Sequence, residues 1–254
     1  MSRLVTGSEP YLFPAGRTGC ILTHGFTSMP EETLLLGKFL AENGITALGV
    51  RLAGHGSTPQ DLRHTQWTDW LLDLETAYSL LANLTDRILF IGQSMGGILS
   101  LISSTELPVA GVVTLATPAS PIPTRIPFGF YFQRVFFPTM YKGAGKDRQS
   151  PGARREPDYP AYPSYPSKIH FEVHKLQPQL RKSLPLVSAP ALIIQSKDDP
   201  WVPESNAEFI YSQIKSLQKS IFWLEKAGHS ILLSDDRGLA FQAILNFIQE
   251  LPPV

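Results

Sequence analysis

The chain has 254 residues, 43% of them hydrophobic and 17% charged, enough apolar material for one large domain with a sizeable core and too much for a disordered chain. Lysine plus arginine and aspartate plus glutamate number 22 each, so net charge gives no electrostatic case for nucleic acid or an anionic membrane. The single cysteine, Cys20, excludes a disulfide within the chain, which suits a reducing, cytoplasmic setting.

Residues 1–16 hold no apolar run long enough for a signal h-region, and no stretch approaches the ~20 apolar residues that span a bilayer. A soluble intracellular protein without a transmembrane segment is expected. The run GCILTHG (19–25) reads as the first core strand, with Cys20 as a buried thiol. The loop THGFTSMPEE follows. Glu31 and Glu32 come after Pro30 and look like first-turn helix acids, with Glu32 also a candidate for touching a polar head group. A helix over 32–44 carries leucines and Phe39 at helical spacing and stops at Gly44. Then come a strand at 45–50, the loop RLAGHG (51–56) and an amphipathic helix over 67–84 that starts near Gln66 or Thr68. Trp67 and Trp70 on that helix read as packing residues.

Strand RILFIG (87–92) leads straight into a helix over 95–104, and between them lies Gly92-Gln93-Ser94-Met95-Gly96. This is G-x-S-x-G in strand–turn–helix context. A turn sharp enough to lift the Ser94 hydroxyl clear of the backbone strains the serine. Glycines two positions to either side let strand and helix close beneath it. The helix start favours developing negative charge there. Ser94 is the expected nucleophile.

After a strand at 111–116 the rhythm breaks. Residues 118–185 are rich in proline and aromatics and show no βα repeat, so they read as an insertion with some short helix of its own and a mobile middle at 142–157. Its aromatic run (Phe128, Phe130, Tyr131, Phe132, Phe136, Phe137) serves either an apolar acyl pocket or the insertion's own core, and Phe128, Phe130 and Phe132 are the substrate-binding candidates. His64, His170 and His174 show no partner pattern and take surface or insertion roles.

A nucleophilic serine needs a base, and the base needs an acid to orient it. Strand 191–196 runs into SKDDPWVP, and strand 220–225 into KAGHSILL. Asp199 and His229 therefore sit at the ends of later strands, in the order serine, acid, histidine. Asp198 competes with Asp199, which is preferred because D-P-W-V-P opens the next turn. The last helix spans 235–251, with Asp235 and Asp236 at its start. The oxyanion donors expected are the backbone N–H of Met95, after the nucleophile, and that of Phe26, after Gly25. His24 reads as structural, its ring bonded to loop backbone.

Strands alternating with helices argue an α/β fold with a mostly parallel central sheet flanked by helices. At this point LTHGFTSMPEE (22–32), RLAGHG (51–56), the D-W-L-x-D helix (69–73), IGQSMGG (91–97), KDDPWVP (197–203) and AGHSILLSDDR (227–237) together resemble the α/β-hydrolases, in particular bacterial carboxylesterases and monoacylglycerol lipases. The resemblance covers 17–117 and 186–250. It implies an α/β-hydrolase core from 1–117 and 186–254, an inserted cap at 118–185, the Ser94–Asp199–His229 triad, and Phe26 and Met95 as oxyanion donors. The six histidines are scattered and stand at no ligand spacing with cysteines, so no metal is expected, and no cofactor is expected either. Ala53 in RLAGHG stands where the family usually has proline, and His55 beside it is usually structural.

The expected activity is hydrolysis of small-molecule carboxylic esters with short- to medium-chain acyl groups, or of monoacylglycerols, through an acyl-enzyme on Ser94. Acyl-thioesters are the alternative substrate, for which Arg125, Arg134, Lys142, Lys146, Arg148, Arg154 and Arg155 would supply the cationic entrance that coenzyme A needs. A ligand-binding protein that keeps the triad without turnover is the non-enzymatic alternative. Oligomeric state is not legible.

Overall fold

The computed structural model describes residues 4–119, 139–141 and 161–252. Its centre is a seven-stranded sheet in the order β1-β3-β2-β4-β5-β8-β9. The strands are β1 (Tyr11–Phe13), β2 (Thr18–Thr23), β3 (Thr46–Val50), β4 (Arg87–Gln93), β5 (Gly111–Leu115), β8 (Ala191–Ser196) and β9 (Lys219–Leu224). All pair in parallel except β1, which runs antiparallel along β3. A separate antiparallel pair, β6 (Thr139–Tyr141) and β7 (Ser164–Pro166), lies within the stretch expected to be inserted.

The continuous apolar runs of the inner strands follow from coverage on both faces. Side chains alternate across a strand. Ile21, Leu48, Phe90, Val112 and Ile193 enter one buried cluster, while Cys20, Leu22, Leu89, Ile91, Val113 and Ile194 enter the other. The first cluster is closed by α3 (Trp67–Leu81), α4 (Met95–Ser103), α5 (Ile169–Ser183) and α6 (Ser205–Gln213). The second is closed by α1 (Glu31–Glu42) and α7 (Arg237–Glu250). A short helix, α2 (Pro59–Leu62), precedes α3.

Local signals set the helix ends. Gly44, just past α1, has φ +77°, a conformation in which a side chain is strained. At the start of α3 the Gln66 N–H donates to Asp69 Oδ2 at 2.8 Å, and the Asp69 N–H returns to the Gln66 carbonyl at 3.1 Å. Trp70 is fully buried and its indole N–H donates to the Ala53 carbonyl, the packing role expected of it. Among the described residues no helix is long and apolar enough to cross a membrane.

Within 118–185 the described part holds more regular structure than a short helix. Helix α5 has 15 residues, and its Ile169, Leu176 and Leu180 join the same buried cluster as Ile98, Leu99 and Ile102 of α4. The proline-rich sequence upstream and Pro178 inside the helix hide it from a pattern reading. The aromatic run 128–137 and the segment 142–157 lie outside the described residues.

Candidate active site

The site lies at the carboxyl ends of β2, β4, β8 and β9, the end of an open parallel sheet where loops converge. Strand β4 ends at Gln93, and Ser94 occupies the cap position of α4 with φ 54° and ψ −117°. A serine at positive φ is strained. It is held there by its N–H, which donates to the Leu115 carbonyl at 2.8 Å, and by the two glycines around it. A Cβ on Gly92 would come 2.1 Å from the Gly96 carbonyl oxygen, and one on Gly96 would come 2.2 Å from the Thr23 carbonyl oxygen. Only glycine allows β4, α4 and the end of β2 to close to this distance. Gly25 is less constrained, since a Cβ there would meet Ser94 Cβ at 3.4 Å, an ordinary contact.

The Ser94 hydroxyl lies 3.1 Å from His229 Nε2, and His229 Nδ1 lies 2.8 Å from Asp199 Oδ2. The other carboxylate oxygen of Asp199 accepts the Trp201 N–H at 2.8 Å and the Val202 N–H at 3.0 Å. An acceptor-only carboxylate at Nδ1 places the imidazole proton there and leaves Nε2 free to accept from the serine. The Asp199 side chain is fully enclosed, while that of His229 keeps 23% of its surface exposed.

Asp198 has a different task. Its Oδ1 accepts from the Ser196 hydroxyl at 2.6 Å and from the Gly228 N–H at 2.8 Å, and Ser196 Oγ accepts the Ala227 N–H at 2.9 Å. Asp198 and Ser196 thus fasten the loop on which His229 rides. Sequence reasoning weighed Asp198 only as a rival acid, because the partners it holds are some thirty positions further on.

Met95 is the first residue of α4, where a backbone N–H has no carbonyl one turn earlier to bond. Phe26 sits in the loop after β2, and among the described residues neither its N–H nor that of Met95 is taken by a backbone carbonyl outside regular structure. The loop is held from several sides. Thr27 adopts φ 61°, and its carbonyl accepts the Tyr162 N–H at 2.9 Å. Ser28 bridges to Ala161, and the Tyr162 hydroxyl accepts the Ser57 N–H at 2.7 Å. The Phe26 ring packs edge-on against Tyr165, centroids 5.0 Å apart, and lies 6.2 Å from the ring of His170. Tyr165 and His170 share a 2.7 Å hydrogen bond. Nothing in their sequence spacing linked these two to Phe26. Burial first, and then the neighbouring His174, lowers the His170 pKa.

His24 is fully buried, as its structural reading requires. Its Nε2 accepts the Leu52 N–H at 3.2 Å and its Nδ1 faces the Gly25 carbonyl at 2.8 Å, so the ring joins the loops after β2 and β3. Burial lowers its pKa to about 4. Ala53 donates its N–H to Asp73 Oδ2 at 2.6 Å, a bond that a proline at this position could not make. Glu32 is also buried, its carboxylate turned inward onto Gly25 and Gln93 rather than toward a head group. Phe128, Phe130, Phe132 and the cationic residues from Arg125 to Arg155 lie outside the described residues.

Residues 15–236 match a family model described as serine aminopeptidase, S33. The chain is 26% identical over 248 residues to a carboxylesterase of Bacillus subtilis (strain 168), covering 97% of this chain and 98% of that one. It is 30% identical over 245 residues to a thermostable monoacylglycerol lipase of Bacillus sp. (strain H-257), covering 96% and 95% respectively. Among solved structures, one from the metagenome-derived lipolytic enzymes LipS and LipT superposes with a TM-score of 0.85 at 30% identity, covering 98% of this chain and all 100% of that one. The monoacylglycerol lipase of Paleococcus ferrophilus shares the fold, with a TM-score of 0.78 at 18% identity over 94% of this chain and 97% of that one.

Proposed function

Because the chain belongs to the serine aminopeptidase S33 family and is an ester hydrolase of the α/β-hydrolase fold, we propose that it cleaves its esters through a covalent acyl-enzyme on Ser94. The observation that carries this reading is the continuous line from Ser94 Oγ to His229 Nε2 at 3.1 Å and from His229 Nδ1 to Asp199 at 2.8 Å, with the serine held at φ 54°. The family description names an aminopeptidase, but the relatives aligned over nearly their whole length are a carboxylesterase and a monoacylglycerol lipase, and esters are the bonds we assign.

In this reading Ser94 Oγ attacks the ester carbonyl carbon while its proton passes to His229 Nε2. The carbonyl π electrons move to oxygen, and the N–H groups of Phe26 and Met95 receive the oxyanion at the start of α4. Asp199 holds the imidazole in the accepting tautomer and then stabilises the imidazolium. Collapse of the tetrahedral intermediate expels the alcohol, whose oxygen takes the proton from Nε2. Water then enters, gives its proton to His229 as it attacks the acyl carbon, and the second collapse returns that proton to Ser94 and frees the acid. Residues 118–185 serve as the cap, over a core of 1–117 and 186–254. Short- to medium-chain acyl esters, monoacylglycerols among them, are the substrates proposed.

The test is steady-state hydrolysis of p-nitrophenyl esters from acetate to palmitate, with Ser94→Ala alongside. An optimum at short to medium chain length that vanishes in the variant is expected. Full turnover by Ser94→Ala would overturn the mechanism.

A further inference from the structure

Three segments that must agree in position are tied together next to Ser94 by two buried side chains, Glu32 and Gln93. Glu32, in the first turn of α1, is 1% exposed. Its Oε2 accepts the Gly25 N–H at 2.6 Å, one residue before Phe26. Its Oε1 accepts from Gln93 Nε2 at 2.7 Å, one residue before Ser94. Gln93, itself 1% exposed, uses its own oxygen to accept the Leu232 N–H at 3.0 Å, three residues after His229. We infer that Glu32 is a positioning residue for catalysis: through Gln93 it sets the oxyanion loop, the nucleophile and the histidine loop against one another. This rests on the reading of Ser94 as nucleophile.

The chain of bonds has a direction, and that direction makes it testable. The Gly25 and Leu232 backbone N–H groups can only donate. Position 32 must therefore accept on both oxygens if residue 93 is to accept from Leu232 and donate to residue 32. Glutamine at position 32 breaks this pattern. With its oxygen on Gly25, its amide NH2 faces the Gln93 NH2. Rotating Gln93 cures that clash and turns its NH2 onto the Leu232 N–H instead. Either way two donors oppose each other in a buried site, where an unmet donor is costly. Moving the carboxylate one place along restores these three pairings. In Glu32→Gln combined with Gln93→Glu, Leu232 and the residue 32 amide both donate to the carboxylate at 93, and the residue 32 oxygen accepts from Gly25.

The experiment compares wild type, Glu32→Gln, the double exchange and Ser94→Ala on the best p-nitrophenyl ester, with thermal melting of each. Misplacing catalytic groups by about 1 Å costs up to about a hundredfold. Glu32→Gln is expected to lose about tenfold to a hundredfold in kcat with KM changed less than about threefold, and the double exchange to recover most of that loss. Wild-type kcat in Glu32→Gln, or a folded double exchange no better than the single variant, overturns the inference. If Glu32→Gln does not fold, the double exchange alone decides. If neither folds, Gln93→Met, which cuts the links to both Leu232 and Glu32 and leaves Glu32 bonded to Gly25, decides by whether kcat falls. Turnover in Ser94→Ala would instead overturn the underlying reading of the site, whereas an inactive Ser94→Ala beside a fully active Glu32→Gln removes only the role of Glu32.

Discussion

Gly96→Ala measures how tightly the elbow is built. The new Cβ would lie 2.2 Å from the Thr23 carbonyl oxygen and 2.7 Å from that of His24. Both atoms are backbone, at the end of β2 and the start of the loop that carries Phe26, so neither can swing aside as a side chain would. Ordinary contact begins near 3.4 Å, so α4 must back away by roughly 1 Å, carrying Ser94 away from Phe26. Overpacking of this kind costs about 1–3 kcal/mol of stability. The displacement itself corresponds to about a hundredfold in kcat/KM. Gly25→Ala is the internal control. It adds the same methyl to the same site, but its nearest neighbour is Ser94 Cβ at 3.4 Å. It should keep activity within a few-fold. The assay is kcat/KM on a p-nitrophenyl ester together with the melting temperature. Gly96→Ala at wild-type activity and unchanged melting, or Gly25→Ala as damaged as Gly96→Ala, would refute the close-approach argument.

Two further predictions concern protonation. His24 is buried, and its pKa falls from 6.5 to about 4. The folded state thus refuses a proton that the unfolded chain accepts, so this stability is complete above pH 6.5 and is lost as pH falls toward 4, about 3 kcal/mol in all. Its imidazole C–H resonances should stay constant from pH 8 to 5, and an NMR midpoint between 6 and 7 would contradict the burial argument. Asp73 moves the other way. Burial raises its carboxyl from 3.8 to about 6, against the opposing pull of the Ala53 N–H and Arg51. A raised carboxyl costs stability as pH rises from about 4 to about 6. Asp73→Asn keeps an acceptor for Ala53 and should be more stable than wild type at pH 8 by about 1 kcal/mol, after discounting for partial exposure, with the difference gone by pH 4. Urea unfolding at the two pH values checks this, and a loss of stability at pH 8 would count against it.

The parts legible in the sequence are those written in local pattern. The inner strands are continuous apolar runs because both faces are covered, and their boundaries fall within a residue or two of those expected. Asp199 and His229 could be placed because each directly follows such a run. What stayed hidden is short or non-local. Strand β1 has three half-buried residues between prolines, too few for any period to show. Helix α6 over Ser205–Gln213 carries only Ala207 and Ile210 as buried apolar residues, below the threshold of a visible stripe. Glu32 looked like an acid answering a helix dipole, which its position in α1 also makes it. Its bonds to Gly25 and Gln93 span 7 and 61 residues, and no window along the chain contains both.

The separation of Ser94 from His229 has a consequence for when the enzyme becomes active. The two are 135 residues apart, and His229 follows β9, the edge strand that pairs last along the sequence. Long-range contacts of this kind form late, because loop closure precedes any stabilisation from the contact. During synthesis the Ser94 turn emerges well before His229, and a chain stopped before β9 lacks the imidazole that lies 3.1 Å from the Ser94 hydroxyl in the folded protein. On the mechanism proposed above, hydrolytic activity reports completion of the whole sheet, because Ser94 meets His229 only once the last strand has docked.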